Sequence, residues 1–407
     1  MTSALAELTT AKAVRGRFPV EEINATQGLS PRVERLKQRY LDVKSQVIAD
    51  RAWFMMESFK QTEGEHLAIR RAKAFAHALA NARIAIQEDE LIAGAVTHLV
   101  RGVHPNVELA PINLEWLLQQ HEPPTTTSEV QECILEDDDK QKLLAACEYW
   151  RDKYAAKRAE EMMTEYTDGK WKALGEARIG MCQPHTPMAF TPGADYDRVL
   201  EVGFNGLIAQ ARAEAEKIRS ASQAEPSDED REKLAFLESV VIVLEGMIHF
   251  ARRHADLARE LAAKESDPER KRELETIAEV CEWVPANPAR SFQEALQLYW
   301  FICIGHEIEK CNPNAYIGRF DQYMWPYYAN DINEGVITRQ QAAELLGCMF
   351  MKWTSLEPFL FMGLLGKRYH QDIAQANYIA NVTLGGVDRR GRDASNELSC
   401  LVLHVAK

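Results

Sequence analysis

Gly318-Arg319-Phe320-Asp321-Gln322-Tyr323 is the stretch on which the fold turns. It reads as a strand-to-helix junction, with an arginine and an aspartate placed to fix the turn through charge-assisted hydrogen bonds. That role is architectural before it is catalytic. After it, Thr338-Arg339-Gln340-Gln341 has the capping-box spacing and opens a helix through about Trp353. The run Tyr378 to Leu384 alternates like a strand and is ended by Gly385-Gly386.

Upstream, helix signals dominate. Ser30 caps a helix with Pro31 at its first position, and Val33, Leu36, Tyr40 and Val47 fall roughly on one face. A second helix covers about residues 64–82, with Arg70, Arg71 and Lys73 on it. After the polar break His121 to Thr127, acidic Glu136 to Asp139 start a long helix to about Glu165. Ser227 to Asp230 is another capping box. The stripe Leu234, Leu237, Val241, Leu244 and Ile248 behind it marks a core-facing helix. Asp267-Pro268 begins a helix to about Trp283, which Pro285 and Pro288 stop. Residues 1–30 read as an arm with little structure of its own. Residues 168–196, rich in Gly and Pro, read as a candidate functional loop. The coarse class is a helix-rich α/β protein.

The 407 residues are 46% hydrophobic and 27% charged, with a formal net charge of -13. That is the composition of a soluble globular chain too long for one small core. Its acidity disfavours nucleic acid as a partner. No apolar run resembles a signal peptide or approaches a membrane span, so no membrane partner is expected and the expected location is cytoplasmic. Eight cysteines form no CxxC pair. Several lie in apolar stretches, such as Phe301-Ile302-Cys303-Ile304, and read as small buried hydrophobes.

The familiar chemical motifs fail on inspection. His306-Glu307 lacks the second zinc ligand, because Lys310 stands where HExxH needs histidine. Gly363 to Lys367 resembles a phosphate loop, but Phe361 replaces its first glycine and Arg368 its Ser or Thr. Asp137-Asp138-Asp139 is followed by Lys140 and Gln141, which suits a solvated helix start. No metal site is expected.

Five blocks, taken in order, carry a resemblance. They are Glu57 to Gly64 with Arg70 to Ala74 and Asp89 to Gly94; Asp195 to Leu200 with Gly203 to Leu207; Pro288 to Gln297; Gly318 to Tyr323; and Asn381 to Gly386 with Asn396 to Leu398. Together they resemble the glycyl radical enzymes of the pyruvate formate-lyase-like family, in their N-terminal half. The resemblance implies an α/β fold, a helix-rich shell around half of a ten-stranded barrel. Residues 1–30 would be an arm and 31–407 the N-terminal part of the lyase domain. It also implies a homodimer with no directly bound cofactor and a place in anaerobic metabolism. A protein glycyl radical is installed by an activating enzyme that uses an iron–sulfur cluster and S-adenosylmethionine, and a cysteine thiyl then abstracts hydrogen from a small organic substrate. Under this reading Arg70 and Arg71 bridge helices at the surface.

The family's Cys-x-Glu motif follows none of the eight cysteines, and no R-V-x-G-Y segment occurs. The expectation is that the thiyl cysteine and radical glycine lie beyond Lys407 and that residues 1–407 alone are inactive. Four residues are candidates for substrate contact. His185 lies in Gln183 to Pro187, which resembles a pocket-lining Gln-Gly-His segment. Asn312 and Asn314 stand near where diol-cleaving members carry a His-Ser pair, a departure that counts against a diol dehydratase. Arg101 lies in Thr97 to Pro105, which resembles a segment of arylacetate decarboxylases; it is a candidate partner for a substrate carboxylate, or else for a structural ion pair. The reading leans toward arylacetate decarboxylation. It keeps open fumarate addition, C–S, C–N or C–O lysis, dehydration, and formate acetyltransferase-like chemistry. The rival from another class is a non-catalytic helical interaction protein.

Overall fold

The computed structural model describes residues 20–26, 30–108, 111–119, 133–171, 173, 193–221, 226–310, 315–356 and 380–407. In chain order the first elements are α1 (Val20–Ala25), α2 (Pro31–Asp42), β1 (Gln46–Val47), α3 (Asp50–Gln61), α4 (Leu67–Asn81), β2 (Gly102–Val103), α5 (Pro111–Gln119), α6 (Asp137–Trp150) and α7 (Ala155–Thr167). They are followed by α8 (Tyr196–Ala221), α9 (Asp228–Lys264), α10 (Pro268–Trp283), α11 (Phe292–Lys310), β3 (Ala315–Arg319), α12 (Phe320–Tyr323), α13 (Trp325–Asn333), α14 (Arg339–Thr354), β4 (Ala380–Thr383) and α15 (Glu397–Val405).

The caps read from the sequence are made. Ser30 accepts from the Val33 amide, Ser227 from Asp230, Asp267 from Glu269 and Thr338 from Gln341. Each satisfies an amide that the first helical turn leaves without a partner.

The centre of the molecule is α11. Leu296, Tyr299, Trp300, Phe301 and Ile304 are all fully buried. Residues 294–305 are buried without a break, so neighbours cover this part of the helix on all sides; α8, α9, α10, α13 and α14 all contact it. Segment 89–94, an irregular stretch that begins in a turn, lies against α11. Gln297 clamps it by accepting the Ala93 amide at 2.7 Å and donating to the Ala93 carbonyl at 2.9 Å. A second, smaller core lies between α3, α4 and α6, around Met55, Met56, Phe59, Leu143 and Trp150.

The second and third sequence blocks interlock. Helix α8 opens at Gly203 (φ 63°), and the chain at 285–289 docks into the opening. The amides of Phe204 and Asn205 donate to the carbonyls of Pro285 and Ala286, and the Ala289 amide donates to Leu200. A Cβ at position 203 would lie 2.5 Å from the Asn287 carbonyl carbon, so only glycine fits.

Strands are few among the described residues. β1 and β2 pair in parallel, as do β3 and β4, the latter with Ala315 opposite Ala380, Arg319 opposite Thr383 and an irregularity between Tyr316 and Gly318. Among the described residues the strands form two two-stranded parallel sheets, and the half-barrel that the resemblance implies is not seen.

Other expectations change in detail. The arm contains α1, with Ile23 buried. Val47 belongs to β1, not to the stripe of α2. The long helix from Asp137 is two helices, broken at residues 151–154. By length and composition α9 is apolar enough to cross a membrane, contrary to the sequence reading, but it packs along α4, α8 and α10. Much of its stripe, from Leu234 to Leu244, is only half-buried. Residues 121–127 and most of 168–196 lie outside the described residues.

Candidate functional site

The junction 318–323 is pinned from three sides. The carboxylate of the fully buried Asp321 accepts the Gly385 amide at 2.7 Å through Oδ2, which also accepts the Ser399 hydroxyl. Arg319 donates to the carbonyls of Gly385, at 2.6 Å from Nη2, and Val387, at 3.1 Å. Asn396 donates to the Asp321 carbonyl at 2.8 Å. The ends of β3 and β4 are thereby locked to each other and to the start of α15. The architectural reading of Arg319 and Asp321 holds.

Beneath the junction lies a group of buried polar aromatics. Tyr299, Cys303 and Glu307 follow one another at intervals of four along α11 and so share a face. Tyr196, from the start of α8, lies with its ring centroid 5.1 Å from Tyr299 and stacks on Tyr323 of α12 at 5.1 Å. Trp353 of α14 donates its indole N–H to the Tyr299 hydroxyl at 3.1 Å. The Tyr323 hydroxyl donates to the Ile317 carbonyl at 2.8 Å.

Burial controls the ionisation of this group. It pushes the Cys303 thiol up to about 12, with a hydrogen bond to Tyr299 pulling against it and the charge of Glu307 adding to it. Burial also raises Tyr196, Tyr299 and Tyr323 far above the usual phenol range. All four groups are neutral at physiological pH. The cluster therefore offers no thiolate or phenolate nucleophile; its tyrosines and its thiol are buried, uncharged hydrogen-bonding groups.

Four other described thiols agree. Burial raises Cys147 and Cys348 to about 12, and Cys281 and Cys400 are raised too. The bland reading of these cysteines is the right one. Among the described residues no group of three His, Cys, Asp or Glu side chains gathers to hold a metal ion.

Of the four candidate contact residues, the structure describes one. Arg101 is buried; it donates to the Val43 carbonyl at 3.2 Å, and its guanidinium lies 4.6 Å from the Tyr40 ring centroid. His185, Asn312 and Asn314 lie outside the described residues. Sequence reasoning missed Tyr299, Cys303 and Glu307 as a common face. It also passed over Tyr196 and Tyr323, although each sits inside one of the five blocks. Arg70 and Arg71 do bridge helices: Arg70 donates to the Phe59 carbonyl at 2.7 Å, and Arg71 pairs with Glu309.

Comparison with known proteins adds the following. A family model described as pyruvate formate lyase-like matches residues 25–407. An isethionate sulfite-lyase of Nitratidesulfovibrio vulgaris is 35% identical over 386 residues, covering 91% of this chain and 44% of its own length. A (2S)-3-sulfopropanediol dehydratase of Klebsiella oxytoca is 30% identical over 377 residues, covering 92% of this chain and 44% of its own length. The glycerol-bound B12-independent glycerol dehydratase from Clostridium butyricum superposes with a TM-score of 0.82 at 32% identity, over 94% of this chain and 46% of that one. The chain thus spans less than half the length of each of these relatives.

Proposed function

Because the chain belongs to the pyruvate formate lyase-like family of glycyl radical enzymes, we propose that it is the N-terminal portion of a carbon–sulfur or carbon–oxygen lyase acting on a small hydroxylated or sulfonated substrate. The observation that carries this reading is the 35% identity to an isethionate sulfite-lyase over 91% of the chain. In such an enzyme the protein radical supplies hydrogen-atom abstraction at the carbon next to the one bearing the leaving group. The contribution of this chain is to shape the site. The Asp321–Gly385 clamp fixes the paired strands, and the neutral wall of Tyr196, Tyr299, Cys303 and Tyr323 keeps water and ionic side reactions away.

The relatives draw the reading away from arylacetate decarboxylation. That alternative rests on the likeness of Thr97 to Pro105 to an arylacetate decarboxylase segment, and Arg101, its candidate for a substrate carboxylate, is buried, donating to the Val43 carbonyl and lying over the Tyr40 ring. His185, Asn312 and Asn314 stay proposed contacts for the substrate. The reading carries with it a cytoplasmic homodimer and a radical S-adenosylmethionine activating enzyme as partner.

The test is anaerobic activation of the complete gene product, followed by separate incubation with isethionate, 1,2-propanediol and indoleacetate. The expected result is sulfite release or aldehyde formation by dehydration. Carbon dioxide from indoleacetate, with neither of the other products, overturns the reading.

A further inference from the structure

The turn between β4 and α15 is complete in itself. Val387 and Asp393 face each other as an antiparallel bridge. The Asp388 amide donates to the Arg392 carbonyl at 2.8 Å, and the Gly391 amide donates to the Asp388 carbonyl at 3.0 Å. The Asp388 carboxylate accepts the amides of Arg390 and Arg392, at 2.8 and 3.0 Å, and pairs with the Arg392 guanidinium at 2.7 Å. Gly391, at φ 73°, supplies the left-handed residue that closes such a turn. Arg319 donates to the Gly385 and Val387 carbonyls and Gln322 to the Ala394 carbonyl, so the turn stands on the clamped junction.

Arg389 and Arg390 occupy the two central positions of this turn, and both are exposed. The turn asks nothing of their side chains, because those positions accept most residues. Among the described residues every other arginine side chain has a hydrogen bond or an ion pair, and these two have neither. The surrounding charges do not cancel them. Asp388 offsets Arg392. The Asp393 carboxylate is taken up by the Ser395 amide at 2.9 Å, and Asp321 is fully buried. Arg319 is held by carbonyls and adds a positive charge at the base. The face is locally basic on a chain whose formal net charge is -13.

We propose that this turn is a docking point for a short acidic segment of another protein, whose carboxylates take Arg389 and Arg390 as bidentate partners. A turn that is already formed loses little freedom on binding, and the exposed Val387 next to Asp388 offers an apolar contact. Charge also limits the length of the partner. Nucleic acid or an anionic membrane extends beyond the face and meets the acidic remainder of the surface, whose repulsion reaches about 8 Å at physiological salt. A short carboxylate-rich stretch stays within the basic face. The proposal stands on the turn and is independent of the lyase reading.

The experiment titrates the complete gene product into fluorescein-labelled hexaglutamate and follows fluorescence anisotropy. A duplex oligonucleotide and phosphatidylserine vesicles are titrated alongside. Saturable binding of hexaglutamate is expected, weakening as salt is added. Arg389→Glu combined with Arg390→Glu is expected to weaken it at least about tenfold, the worth of one charge-assisted hydrogen bond. Arg389→Gln combined with Arg390→Gln removes the charges without reversing them, and decides the matter if the reversed charges disturb the turn. No saturable binding of hexaglutamate, equal binding by the folded substituted proteins, or tighter binding of the duplex or the vesicles overturns the proposal.

Discussion

Asp321 accepts the backbone amide of Gly385 at 2.7 Å across 64 residues of chain. One carboxylate oxygen serves both Gly385 and Ser399, while Oδ1 is buried with no hydrogen-bond partner among the described residues. A buried carboxylate placed this way is a staple between the ends of two parallel strands. Asp321→Ala leaves the Gly385 amide buried and unpaired, while the Ser399 hydroxyl keeps Asn396 as a partner. The expected loss is about 1–3 kcal/mol, the cost of one orphaned buried amide. Urea unfolding of the variant beside the parent measures it, and a loss below about 0.5 kcal/mol, the size of an ordinary surface change, shows that the clamp is not structural.

Gly203 makes the same point at the joint between the second and third blocks. Its φ of 63° is open to glycine, and a methyl group there meets Asn287 backbone at 2.5 Å, which cannot move aside as a side chain can. Gly203→Ala is expected to cost more than about 2 kcal/mol through strain and displacement together. Gly64→Ala is the control. It shares a positive φ, 90°, but a Cβ there meets nothing within 4 Å, so it isolates the conformational cost, about 1 kcal/mol. Equal losses at the two sites mean that the close approach to Asn287 contributes nothing.

What could be read from the sequence was what local chemistry writes. Ser30, Ser227, Asp267 and Thr338 are caps whose side chains and spacing declare a helix start, and all four helices begin there. Helix α11 declares little, because its middle, Leu298 to Ile304, is an unbroken apolar run with no polar face to give it a period. The break at 151–154 was hidden for the opposite reason: it contains neither proline nor glycine, and both flanks are good helix formers. The Arg319–Asp321 junction was legible because a charged pair beside a glycine has few other uses. The aromatic wall was not. Tyr196, Tyr299, Tyr323 and Trp353 come from four helices and become neighbours only when the core closes, so no spacing in the sequence relates them.

His254 sets an acid limit on the fold. It is fully buried; its Nδ1 is 2.9 Å from the Phe250 carbonyl, and its Nε2 has no hydrogen-bond partner among the described residues. Burial lowers its pKa to about 4, against the bond to Phe250, with the charges of Lys352 and Arg253 assisting. Between the unfolded value of 6.5 and about 4 the unfolded chain binds the proton and the native one does not. Stability therefore falls as pH drops through that window. From pH 7 to pH 5 the loss from this one group is about 2 kcal/mol. His104, lowered to about 3 by burial and by Arg51, acts in the same direction. Urea unfolding at the two pH values measures the slope. His254→Gln is expected to make it shallower, and an unchanged slope in a folded variant removes His254 from the account.

The thiols give a prediction that separates a buried cysteine from a reactive one. Alkylation needs the thiolate, and burial holds Cys147, Cys303 and Cys348 at about 12. At pH 8 only about one thiol in ten thousand is ionised at such a site, against roughly a quarter for a free cysteine. Closed packing withholds even that fraction, since all three are buried. Brief treatment of the native protein with iodoacetamide, followed by peptide mapping, is expected to leave these three unmodified. Cys400 is only half-buried, although burial raises its thiol too, so it is expected to react first among the described cysteines. Denaturation in urea should then expose all of them to rapid labelling. The informative failure is rapid native labelling of Cys303, because it requires the wall formed by Tyr196, Tyr299 and Tyr323 to open to water. A wall that opens in this way could not shield a site where hydrogen atoms move, and the shielding role proposed for α11 would be lost with it.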